Sequence, residues 1–92
     1  MKTYKTLTQL AVELPSNTLA QHEYRRFYVV GLILFKDGVN ERSIAAVERR
    51  IHVHPDTMKR MLKAQGLTDE QRAQVIGYDH GRQGLDPDNS EF

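Results

Sequence analysis

The chain has no cysteine, which excludes a disulfide framework and a thiolate metal site and suits a reducing compartment. It also lacks a long apolar run. The longest, from Phe27 to Phe35, is nine residues with Gly31 inside it, well short of the roughly 20 needed to span a bilayer. Met1-Lys2-Thr3-Tyr4-Lys5 is not followed by the apolar stretch and small-residue cleavage site of a secretory signal. The expectation is a soluble, cytoplasmic protein without a membrane partner. The marks of an enzyme are missing too. No glycine-rich loop precedes a helix to cradle phosphate, and no serine has a plausible set of catalytic partners. His52-x-His54 is the one close histidine pair, and it has no nearby third ligand. Asp86-Pro87-Asp88-Asn89 lacks the glycine and the distant glutamate of a calcium loop. Tyr78-Asp79-His80 is an acid–base pairing only on paper. These gaps point away from an enzyme, a metal and a cofactor.

What remains is ordinary material for one small domain. The 92 residues are 39% hydrophobic and 27% charged, with a net charge of +1. That small total hides an uneven distribution. Residues 1–17 carry +1, residues 18–67 carry nine Lys or Arg against five Asp or Glu, and residues 68–92 carry two Arg against six acids. A basic middle is masked by an acidic end.

Periodicity and capping signals divide the chain into helices. Thr6-Leu7-Thr8-Gln9 reads as a capping box opening a short helix over 7–14, with Leu7, Leu10, Ala11 and Leu14 on one face and Pro15 ending it. Ser16-Asn17-Thr18 offers caps for the longest element, about 18–36, which closes on Lys36-Asp37-Gly38. From Phe27 to Phe35 that helix is apolar on nearly every side, so it must be covered on more than one side. A second copy of the chain is the cover expected from the sequence, giving a homodimer through residues 27–35. Asn40 caps the next helix, with Val39 stapled onto Ile44, and Ile44, Val47 and Ile51 form its inner stripe. Pro55 suits the first position of the following helix, which Gly66 stops at about Gln65. Thr68 and Gln71 repeat the capping box for a last helix over about 69–77. The glycines and acids beyond it predict a loose acidic tail.

The informative stretch is Ser43 to Leu67, S-I-A-A-V-E-R-R-I-H-V-H-P-D-T-M-K-R-M-L-K-A-Q-G-L. Two short helical patterns meet there with about four residues between them, and so tight a junction predicts a steep crossing. This stretch resembles helix-turn-helix regulators and the DNA-binding domains of site-specific recombinases. The resemblance covers about 25 of the 92 residues. It implies that the second helix enters the major groove of DNA, with Met58, Met61 and Leu62 facing the core. It turns His54, Pro55, Asp56, Thr57, Lys59, Arg60 and Lys63 outward. Arg60 then suits a bidentate contact to guanine, Lys59 a base or phosphate, and Lys63 a phosphate. Arg49 and Arg50 end the first helix where flanking phosphates pass, and Asn40 and Arg42 begin it near the backbone. Three positions depart from the pattern. Glu48 stands where a small residue is usual, His52 where glycine is, and His54 where a Ser or Thr cap is. Glu48 must lean outward or pair with a cation such as Lys59 or Arg60.

The expected fold is therefore all-α, a small helical domain of five helices. Its centre is a three-helix helix-turn-helix core, flanked by a short N-terminal helix and a loose C-terminal tail. Residues 1–77 form the domain and 78–92 a flexible acidic tail. The expected function is sequence-specific binding of double-stranded DNA by a homodimeric transcriptional regulator. Its size and family likeness suit a mobile element such as a phage or plasmid. The alternative is a helical protein-interaction module that uses the same core without DNA.

Overall fold

A computed structural model describes residues 2–92. Its elements are α1 (Tyr4–Val12), α2 (Leu19–Asp37), α3 (Glu41–Ile51), α4 (Pro55–Leu62) and α5 (Asp69–Arg82). No strand occurs among the described residues. The protein is a small all-α domain.

Helix starts follow the capping chemistry. The Thr18 hydroxyl accepts the Gln21 backbone amide at 3.0 Å while the Gln21 side-chain oxygen Oε1 accepts the Thr18 amide at 3.3 Å. Asn40 with Ser43 and Thr68 with Gln71 form the same reciprocal boxes. Two entries into helices differ from expectation. α1 begins at Tyr4, capped by Thr3 and not by Thr6, because the Tyr4 ring packs on the α2 cluster and under the Lys36 ammonium at 4.9 Å. Val39 is exposed and does not staple. The Ser43 hydroxyl instead ties the loop by donating to the Gly38 carbonyl at 2.7 Å.

α2 is the spine of the molecule. On one side Ala20, Tyr24, Tyr28 and Leu32 meet Leu7 and Ala11 of α1 and Ala73 of α5. On the other, Phe27, Val30 and Leu34 meet Val47 and Ile51 of α3, Met58 of α4, and Val75 and Tyr78 of α5. Residues 27–35 are thus buried or half-buried within one chain. Much of the cover that the sequence assigned to a second copy is supplied internally, and Val29, Ile33 and Phe35 remain half-buried.

The chief cover is α5, which runs parallel to α2: Gly77 abuts Tyr24, and Gly81 abuts Tyr28 and Leu32. A Cβ on Gly77 would lie 2.5 Å from the Tyr24 carbonyl oxygen, and one on Gly81 would overlap the Tyr28 carbonyl oxygen. Gly31 answers from α2, with the Tyr78 carbonyl oxygen and the Arg82 amide where its Cβ would be. Three glycines let the two backbones touch. This explains why α5 continues to Arg82 past the expected stop at Gly77, since glycine here serves packing and ends no helix.

The residues after α5 are not a loose tail in this structure. They turn at Gly84 (φ +68°) and retrace α2 backwards. The Tyr28 hydroxyl donates to the Leu85 carbonyl. The Asp88 amide donates to the Tyr24 hydroxyl at 3.1 Å, and that hydroxyl lies 2.6 Å from His80 Nδ1. Buried Asn89 donates to the carbonyls of Pro15 (2.7 Å) and Gln21 (3.4 Å), and Thr18 Oγ1 donates to the Phe92 carbonyl at 3.0 Å. Buried tyrosine hydroxyls need partners, and the strap provides them. Its acids meet cations of the body, Asp86 with Lys2 and Glu91 with Arg72.

Candidate nucleic-acid interface

α3 and α4 are joined by three residues, each with a distinct task. His52 ends α3 in the left-handed region (φ 58°, ψ 27°), its amide bonded to the Glu48 carbonyl at 2.6 Å. Val53 packs against the core. His54 caps α4 through Nδ1, which accepts the Asp56 amide at 3.1 Å and therefore carries no proton in this arrangement. Pro55 occupies the first helical position, where a missing amide costs nothing.

The helix that follows has an anchored face and a free face. Pro55 and Met58 are buried and Met61 is half-buried against the core. Pro55 is therefore not an outward residue, because it is buried at the start of α4. Leu62, expected inside, is 39% exposed. The last turn tightens there, with the amides of Lys63 and Ala64 bonding three residues back to Arg60 and Met61. α4 consequently stops at Leu62, short of Gln65. On the free face stand His54, Asp56, Lys59, Arg60 and Lys63, all exposed, with Thr57 half-buried beside them. Lys59 and Lys63 are one turn apart and share a side of the helix. Arg60 reaches back to Thr57 Oγ1 at 3.3 Å.

Glu48 is exposed on α3. Its carboxylate leans out towards His54 Nε2 at 3.9 Å and leaves the α4 cations alone. Among the described residues, no carboxylate lies within 4.0 Å of Lys59, Arg60, Lys63, Arg42, Arg49 or Arg50. The acidic strap lies along α2, so it does not cover them either. Arg49 and Arg50 are exposed in the last turn of α3, where its dipole favours positive charge. Arg42 is exposed at the other end, beside Lys36 and Asp37. Asn40 is committed to structure, since its amide oxygen accepts from Ser43 and its nitrogen donates to the Asp37 carbonyl at 2.8 Å.

Behind α4 sits buried Tyr78. Burial pushes its phenol above the ordinary value, with the neighbouring Asp56 adding to the effect and Arg82 opposing it. Its hydroxyl and Arg82 Nε are buried without hydrogen-bond partners among the described residues. A second basic cluster, not expected from the sequence, lies in the first half of α2, where His22, Arg25 and Arg26 converge on Arg50 of α3. The signal in the sequence was only the Arg25-Arg26 pair, which reads as an unremarkable surface. Among the described residues, no group of three or more His, Asp or Glu side chains is placed to hold a metal ion, and no helix is long and apolar enough to cross a membrane. Compared with protein-family models, curated proteins and solved structures, the chain finds no match.

Proposed function

We propose that this chain is a sequence-specific double-stranded DNA-binding protein, a small transcriptional regulator that reads the major groove with α4. One observation carries the reading: Lys59, Arg60 and Lys63 project from a helix whose opposite face is fixed to the core, and among the described residues no carboxylate neutralises them. Free guanidinium and ammonium groups on a short anchored helix are the donors that base edges and phosphates accept. Arg60 contacts guanine, Lys59 a base or phosphate, and Lys63 a phosphate. Arg49, Arg50 and Arg42 hold the flanking backbone. Binding should weaken steeply with salt, and Arg60→Ala should cost about 1–3 kcal/mol on the preferred site. A titration of labelled mixed duplex at low and moderate salt tests this.

A second reading, a protein-interaction module, is favoured by exposed Leu62, which lies among the same three cations in a shallow hollow of about 280 Å³. An acidic peptide with one apolar side chain would fit it. The same titration separates the two, because such a module leaves duplex DNA unbound at both salts.

A further inference from the structure

The groove between α1, the start of α2 and the end of α3 is the most strongly charged hollow away from α4. It has a volume of about 230 Å³, an apolar floor of Ala11, Val12 and Val29, and a rim of Arg25, Arg26 and Arg50, with exposed His22 beside them. Two of the arginines hold the groove's own walls. Arg25 donates to the Val12 carbonyl at 2.9 Å, and Arg26 donates to the Arg50 carbonyl and the Glu23 carboxylate, both at 3.3 Å. They thereby occupy the ends of α1 and α3, whose last carbonyls lack intrahelical partners.

The charge balance decides what the groove can accept. Three guanidiniums face one carboxylate, Glu23, and two helix C-termini worth about half a negative charge each. About one positive charge remains. Each guanidinium has five donors, and the wall contacts use only a few of them. A group with a single negative charge and an apolar body therefore matches the groove. A dianion would overfill it.

We propose that this groove is a phosphodiester site, seating one sugar-phosphate unit of the duplex strand that passes α3, with the phosphate on Arg25, Arg26 and Arg50 and the sugar on Val12 and Val29. The proposal rests on the DNA-binding reading and adds His22, Arg25 and Arg26 to it. The continuity is structural, since Arg26 is bonded to Arg50, two residues before the turn that leads into α4.

The test is the salt dependence of duplex binding for the wild-type chain, the Arg25→Gln/Arg26→Gln double variant and His22→Glu. His22 makes no hydrogen bond among those described beyond its helical amide, so His22→Glu leaves the fold intact if the double variant loosens the walls. Removing one phosphate contact should make the slope of log affinity against log salt shallower by about 0.9. Affinity at low salt should fall several-fold while the rank order of bound sequences stays the same. His22→Glu should weaken binding in the same direction, and a free nucleoside monophosphate should not compete. Wild-type slope and affinity in both variants would overturn the groove assignment while leaving α4 intact. Competition by the free nucleotide, with an unchanged duplex slope, would overturn the strand assignment in favour of a small-molecule site. Absence of wild-type binding to any duplex would remove the DNA reading and this site together.

Discussion

Gly77 stands so close to Tyr24 that a Cβ on the glycine would fall 2.5 Å from the tyrosine's carbonyl oxygen. Backbone cannot retreat from such a contact as a flexible side chain can. Gly77→Ala must therefore push α5 away from α2, in the pair of helices that forms the centre of the core. Overpacking of this kind costs about 1–3 kcal/mol, and Gly81→Ala should cost at least as much. Urea unfolding checks it. As a control, Gly66→Ala meets open space and only the strain of a positive φ (+74°), so about 1 kcal/mol is expected.

Asn89 is the pin of the strap. Its amide holds both the loop before α2 and the first turn of that helix. Asn89→Ala removes the donor from both part-buried bonds, which together should cost about 1–3 kcal/mol. Hydrogen exchange should then speed up at residues 85–92 and around Pro15. An unchanged unfolding midpoint would mean that the strap adds nothing to stability.

The buried tyrosines give the protein an alkaline limit. Burial is the main cause that raises Tyr24 to about 12, Tyr28 higher still, and Tyr78 in the same direction. In the unfolded chain these phenols ionise near 10. A raised folded value means that the folded state keeps its protons longer. Its stability is complete below about pH 10 and falls as pH rises towards 12 and beyond. Phenolate absorbance followed against pH should rise together with loss of helical circular dichroism.

His52 bears the cost of the tight turn. At φ 58° a side chain is disfavoured, and glycine escapes that penalty of about 1–2 kcal/mol. Part of the gain is offset by the greater freedom of glycine in the unfolded chain. His52→Gly should raise stability by about 0.5–1 kcal/mol, measured by thermal unfolding, and leave the site's cations in place.

These residues also mark how far the sequence could be read. Thr18, Asn40 and Thr68 announce their helices because capping is local chemistry between residues three apart. The strained turn at His52 was legible only through the resemblance, which puts glycine at that position. Gly77 and Gly81 were not, because a weak helix former reads as a stop until its partner is known. That partner, Tyr24, lies 53 positions away in the chain. Asn89 is similar, since nothing near it in sequence shows that Pro15 and Gln21 need its amide. The α4 cations were legible as a pattern, but whether Glu48 would neutralise them depended on where its side chain leaned. The His22, Arg25 and Arg26 cluster becomes visible only when α3 arrives beside it.

Whether α4 reads DNA is decided by selection from a random duplex pool, followed by titration of the selected sequence with wild-type and Arg60→Ala protein. A DNA-reading α4 should give a defined enriched sequence, affinity that falls steeply with salt, and a loss of about 1–3 kcal/mol in the variant. No enrichment over the starting pool, or equal affinity of wild type and Arg60→Ala for the enriched site, would contradict it.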